Sequence, residues 1–153
     1  IREGSSIALA FVDLNGFKPI NDNWGHHVGD AVLREVAHRL QKVGRREDIV
    51  ARLGGDEFVV VFYGVRNEAD IERLGNGLRD SLTAPMSLPG VPDPIRVNAS
   101  VGFARFPEDA DSLAGLMRRA DAAMYQAKES TRKSDTSIVF RADPSAGPGA
   151  DLK

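Results

Sequence analysis

Two short apolar runs, Ile49 to Leu53 and Phe58 to Tyr63, flank the tetrapeptide Gly54-Gly55-Asp56-Glu57. Neither run has the length of a helix, and the glycine-rich break between them reads as a tight turn. The segment is therefore a β-hairpin with two carboxylates at its tip. An isolated hairpin is marginal in water and needs further strands or a helix packed on it. The chain supplies both. Ser6 to Asp13 is another apolar run of strand length. Ile95 to Phe106 alternates as a strand until Pro107 stops it, and Ser137 to Phe140 is a short last strand.

Helical repeats fall between the strands. Val28, Val32, Val36 and Leu40 recur every four residues, with Arg34, Glu35, His38, Arg39 and Lys42 on the opposite face. This helix starts at Phe17 or Val28 and runs to Val43, with Asn23-Trp24-Gly25-His26-His27 as an interruption or kink and Gly44 as its end. Ile71, Leu74, Leu78 and Leu82 stripe a second helix over Asn67 to Leu82. A third starts from a cap at Asp111 or Ser112 and runs to about Lys128. Between them, Ala84 to Pro94 carries four prolines and reads as a loop with at most a short edge strand. The order β-α-β-β-α-β-α-β predicts an α+β fold, an α/β sandwich. Its central sheet is mostly antiparallel with flanking helices, in a split βαβ arrangement.

With 153 residues and 42% hydrophobic content, the chain forms one domain with a core of its own. The domain is expected over residues 1–141, and 142–153, rich in Ala, Gly, Pro and Asp, reads as a disordered tail or a linker to a further domain. The sequence has no cysteine, which excludes disulfides, thiolate metal sites and cysteine nucleophiles. A net charge of −2 and the lack of aromatics on an exposed strand weigh against nucleic acid as a partner. No apolar run approaches the ~20 residues of a membrane span. The chain begins at Ile1 rather than Met, so it is expected to be a piece of a longer protein whose sensor or effector domains lie outside it.

The chemistry-bearing residues cluster early. Asp13 ends the first strand and Asp56 sits at the hairpin tip, so the two meet if those strands are neighbours. Convergent carboxylates without His or Cys form a hard, all-oxygen site suited to Mg2+ or Mn2+. Such a site serves phosphoryl chemistry. The structural alternatives are a helix N-cap for Asp13 and plain turn chemistry for the hairpin. Gly16, Phe17 and Lys18 open a helix, where backbone N–H groups bind phosphate. Asn21 and Asp30 together have the donors and acceptors to read a guanine edge, although each alone is more often a cap or turn residue. His26 and His27 are adjacent and have no third partner, so a zinc site is not expected. Trp24 and Tyr125 are read as packing residues, and Met117 and Met124 as core.

Three segments in order, DLNGFKPINDNWGHHVGD (13–30), RLGGDEF (52–58) and ADAAMYQAK (120–128), resemble the GGDEF domain of bacterial diguanylate cyclases. The resemblance spans Ile7 to Phe140 and implies a nucleotidyl-cyclase-like fold. By that resemblance, Asp13, Asp56 and the Leu14 carbonyl hold metal, two Mg2+ or Mn2+ ions per active site, and Glu57 completes the acidic turn. Gly54 and Gly55 leave room for substrate. Asn21 and Asp30 read guanine, and Lys18, the turn N–H groups, Lys128 and Arg132 hold the phosphates. Two such domains, each with one GTP, face each other as a homodimer and yield cyclic di-GMP and two pyrophosphates. Arg45 and Asp48, an Arg-x-x-Asp pair before the double glycine, correspond to a product-inhibition site; the structural alternative is an exposed charge run. Asn15 stands where the family usually carries a second Asp, and Thr131 where a Gly often precedes the Arg. Asn15 and the tail also motivate an alternative, a weakly catalytic domain that binds GTP or cyclic di-GMP and regulates a neighbour. GTP use and the lack of an export signal imply a cytoplasmic location, with membrane anchoring of the parent protein left open.

Overall fold

In a computed structural model, which describes residues 6–134 and 138–141, nine elements follow one another. They are β1 (Ile7–Asn15), α1 (Phe17–Trp24), α2 (His26–Val43), β2 (Ile49–Gly54) and β3 (Glu57–Tyr63). After them come α3 (Glu68–Thr83), β4 (Asn98–Phe106), α4 (Leu113–Ser134) and β5 (Ile138–Arg141). The strands form one sheet in the order β2-β3-β1-β4-β5. All neighbours are antiparallel except β4 and β5, which α4 joins as a parallel pair. The expected α+β sandwich with a mostly antiparallel sheet is thus present.

β1 lies in the middle of the sheet and is covered on both faces, which is why its sequence is almost continuously apolar. Ala8, Ala10, Val12 and Leu14 point into a core shared with α1, α2 and α3. Ile7, Leu9 and Phe11 point the other way, into a second core with Leu116, Ala120 and Met124 of α4. Asp13 is next in that second series, so the period-2 alternation of the strand aims its carboxylate at the α4 side of the sheet.

The helix interruption is a full break. Gly25, at φ 86°, closes α1 by donating its N–H to the Asn21 carbonyl (2.8 Å), and α2 starts afresh at His26. Asn67 caps α3, its side chain accepting from the Asp70 N–H, and Ser112 Oγ accepts from the Gly115 N–H at the start of α4. The edge strand expected in the proline-rich loop shrinks to a single Met86–Ile95 bridge. Ile95 is used there, so β4 begins later than its alternation suggests. Trp24 and Tyr125 are corrections: they are 44% and 59% exposed, not packed. Both are exposed on their helices, where a lone aromatic gives no periodic signal of its own. Ser137 and the tail 142–153 lie outside the described residues. Among the described residues no helix is long and apolar enough to cross a membrane.

Gly102 sets how closely α4 approaches. A Cβ there would run into the backbone of α4 at Ala120 and Met124. Backbone cannot swing aside like a flexible side chain, so any larger residue pushes the helix off the sheet. Gly102→Val is expected to destabilise the fold by about 3 kcal/mol or more, beyond ordinary overpacking. Urea unfolding measures it, and a loss under about 1 kcal/mol would contradict the close packing.

Candidate active site

The C-terminal end of β1 meets the hairpin tip. Asp13 pairs across the ladder with Glu57, and the Leu14 N–H donates to the Asp56 carbonyl (3.1 Å). The two carboxylates that the sequence placed on neighbouring strands are therefore brought together, with Glu57 beside them. Asp13 is not a helix cap: Gly16, at φ 76°, holds that position before α1, and no side chain caps the helix. The N–H groups of Phe17 and Lys18 thus keep their donors clear of any capping side chain. The hairpin turn uses Gly54 (φ 148°) and Gly55 (φ 52°), backbone angles that L side chains rarely adopt. Arg52 braces it, Nε donating to the Gly55 carbonyl (3.0 Å).

Asp13 is only 3% exposed, and its Oδ2 accepts from Lys128 Nζ of α4 at 2.7 Å. A charge this deep requires a partner. The neighbouring carboxyls are shifted upward. Burial, then the Asp13 charge, holds Asp56 above the ordinary carboxylate range. Burial, Asp13, Asp121 and Asp56 in turn push Glu57 up, against the pull of Lys128. Asp121 was missed by sequence reasoning. Seven residues before Lys128, it lies two turns away on the same face of α4, and that spacing could have flagged it. Asn15 donates from Nδ2 to Ser100 Oγ on β4 (3.0 Å), so the residue in the usual Asp position braces the strand pair.

The remaining predicted residues divide. Asn21 fills the space where a Cβ on Gly29 would stand, with Phe17 near the same point, which sets it next to the turn of α2 bearing the exposed Asp30. Lys18 does not join the acidic edge: its ammonium pairs with Asp22 (3.0 Å), and its side chain is 86% exposed. Such an exposed pair is weak and easily exchanged. The side chain of Arg132 lies outside the described residues. Arg45 and Asp48 line a separate cleft of ≈ 360 Å³ together with Tyr63, Asp70 and Arg73. There the two Asp48 oxygens accept from the N–H groups of Arg45 (2.7 Å) and Tyr63 (2.9 Å). Arg45 donates to the Tyr63 carbonyl (2.8 Å). The pair expected to be an exposed charge run or a ligand site is first a brace for this loop; each Asp48 oxygen keeps a second lone pair.

Among the described residues no group of three or more His, Asp or Glu is gathered to hold a metal ion. Two carboxylates and a backbone carbonyl nonetheless suit Mg2+, which is commonly bound by one or two carboxylates with phosphate oxygens and waters completing the shell.

These features define an α+β domain with an acidic sheet edge and a lysine set against it. Residues 1–134 match the family model described as diguanylate cyclase, GGDEF domain. The chain belongs to the GGDEF family. It is 42% identical over 132 residues, 86% of its length, to the bifunctional diguanylate cyclase/cyclic di-GMP phosphodiesterase MucR of Pseudomonas aeruginosa, covering 19% of that protein. It is 40% identical over 121 residues, 79% of its length, to the diguanylate cyclase DgcN of Escherichia coli, covering 29%. The chain thus spans less than a third of these relatives. Among solved structures, the GGDEF domain of TpbB (YfiN) from Pseudomonas aeruginosa superposes with a TM-score of 0.82 at 36% identity, covering 92% of this chain and 78% of that one. The GGDEF domain of DgcB from Caulobacter crescentus, solved with c-di-GMP, gives 0.74 at 30% identity, covering 91% and 79%.

A carboxyl whose folded pKa is raised binds its proton more tightly folded than unfolded. Its ionisation therefore costs stability as pH rises from the ordinary carboxylate range through the raised value. Asp56→Asn is expected to unfold at a higher temperature than the parent at pH 7 in chelator. The gap should close as pH falls below the ordinary carboxylate range. A variant less stable at pH 7 would contradict the raised pKa.

Proposed function

We propose that residues 1–141 form a diguanylate cyclase domain, which condenses two GTP into cyclic di-GMP and two pyrophosphates, with 142–153 as a tail or linker. One observation carries this reading: Asp13, Asp56 and Glu57 converge at the sheet edge with Lys128, beside a helix start whose N–H groups have no capping side chain. Asn21, which lies against Gly29, and the exposed Asp30 beside that glycine supply the donors and acceptors that read guanine. Lys128 and the N–H groups of α1 bind the phosphates, with Gly16 and Phe17 shaping that turn. Lys18 joins them by leaving Asp22, and Arg132 follows one turn after Lys128. Gly54 and Gly55 keep the hairpin tip bare against the substrate. Mg2+ or Mn2+, two per site, held by Asp13, Asp56 and the Leu14 carbonyl, would polarise the phosphate oxygens.

In the reaction, the 3′-oxygen of one GTP bonds to the α-phosphorus of the other. The bond from that phosphorus to the bridging oxygen breaks, and pyrophosphate leaves. Glu57, laddered to Asp13 at the acidic edge, is the carboxylate placed to take the hydroxyl proton. One domain presents one GTP, so two copies must face each other. Cyclic di-GMP binds at Arg45 and Asp48 and feeds back; the planar guanidinium stacks on a base or grips phosphate, and the cleft beside it has the room. The domain works where GTP is plentiful, the cytoplasm, within a longer protein that carries sensor or effector domains and can be membrane-anchored.

The cleft also favours a second reading. A domain that does not turn over would keep Arg45 and Asp48 and serve as a GTP- or cyclic di-GMP-binding regulator of a neighbouring domain.

Purified protein at high concentration with GTP and Mg2+ is expected to yield cyclic di-GMP by chromatography, and Asp56→Ala to lower the yield at least ~10²-fold. Retained turnover in Asp56→Ala would refute the carboxylate assignment. Absent product with cyclic di-GMP binding intact would favour the regulator. Arg45→Ala is expected to weaken cyclic di-GMP binding about tenfold or more, the scale of one charged contact. Unchanged affinity by calorimetry would remove the feedback site.

A further inference from the structure

The Lys128–Asp13 pair joins two unlike partners. Asp13 is fixed: it sits on the central strand, laddered to Glu57 on one side and Ser100 on the other, and almost no water reaches it. Lys128 is the adaptable member, with a flexible four-carbon stem and a third of its side chain exposed. Asp56 and Glu57 crowd the same edge, and each feels the Asp13 charge. Asp13 therefore cannot give up one cation without gaining another. A divalent cation held here by two carboxylates and a backbone carbonyl has the rest of its shell to fill, and phosphate oxygens of a triphosphate supply it.

We propose that Lys128 is an exchangeable counter-ion that couples cation binding to nucleotide binding. Lys128 rests on Asp13 and leaves it for the phosphates of an arriving nucleoside triphosphate. Asp13 is then free to ligate the cation that arrives with that triphosphate. A cation alone meets a carboxylate already neutralised. A triphosphate alone would strip Asp13 of its charge-assisted bond to Lys128. Together the two exchanges balance, so each ligand strengthens the other's binding by the same factor. This inference rests on the reading that a triphosphate binds at this edge. It goes beyond that reading by assigning Lys128 a positioning role toward Asp13, in addition to any contact with phosphate.

The test is Mn2+ binding followed by electron paramagnetic resonance of the free ion, with and without α,β-methylene GTP. Without nucleotide, Lys128→Met is expected to bind Mn2+ about tenfold tighter than the parent, and Lys128→Arg, which keeps the charge and donors, to match the parent. The factor by which the analogue tightens Mn2+ binding should fall about tenfold in Lys128→Met. A lysine with a purely structural role would leave the nucleotide-free affinity unchanged or weaken it, and either result overturns the proposal. A second readout needs no substitution. The Asp13 carboxylate ¹³C shift should move when Mg2+ and the analogue are added together and stay in place with Mg2+ alone. An equal movement with Mg2+ alone overturns the exchange. Failure of the analogue to bind with Mg2+ present would sink the triphosphate reading itself, while the nucleotide-free Mn2+ comparison still judges Lys128.

Discussion

A carboxylate removed from water must be paired, and the rest of the site is arranged around that constraint at Asp13. Asp13 belongs to the central strand, which has neighbours on both sides and helices on both faces, so its position is firmly fixed. Its partner comes from α4, distant in sequence. That helix lies close enough only because Gly102 leaves its backbone room to approach β4. The hairpin joins the same point through the Leu14–Asp56 backbone bond and the Asp13–Glu57 pairing. Central strand, hairpin and last long helix thus meet at one sheet edge. Burial at that edge, and then the Asp13 charge, holds Asp56 and Glu57 above the ordinary carboxylate range.

Much of this was legible in the sequence because the relevant signals are local. The apolar runs of β1 and β3, the glycine-rich turn and the period-four stripe of α2 each specify their own element. Asp13 and Asp56 meet because the split βαβ order makes β1 and β3 neighbours. Harder to read were features decided by contacts distant in sequence. Gly102 looks like any strand glycine until α4 is in place. The Lys128–Asp13 bond spans 115 positions. Ser100 carries no pattern that sets it apart from surface polar residues. Lys18 was expected at the phosphates, yet its nearest countercharge is Asp22, one helical turn away. Asp48 was expected to face a ligand, whereas its first task is to cap two backbone N–H groups. Neither contact is visible in the motif that singles the residue out.

The cleft beside Arg45 has its own relation to the acidic edge. Glu57 begins β3 and Tyr63 ends it, and Arg45 binds the Tyr63 carbonyl, so the two regions lie at opposite ends of one strand. Seven residues of strand separate them by about 20 Å. Under the proposed reading, substrate and inhibitory product therefore bind too far apart to compete directly. Inhibition would act by restraining how two copies approach each other.

The central claim is that the edge formed by Asp13, Asp56 and Lys128 receives a guanine nucleotide triphosphate. A crystal structure with α,β-methylene GTP and Mg2+ tests it most directly. The account predicts phosphates against the N–H groups of Phe17 and Lys18, the ion on Asp13 and Asp56, Lys128 turned from Asp13 to phosphate, and the base at Asn21 and Asp30. Nucleotide bound elsewhere, with Lys128 still on Asp13, would contradict it.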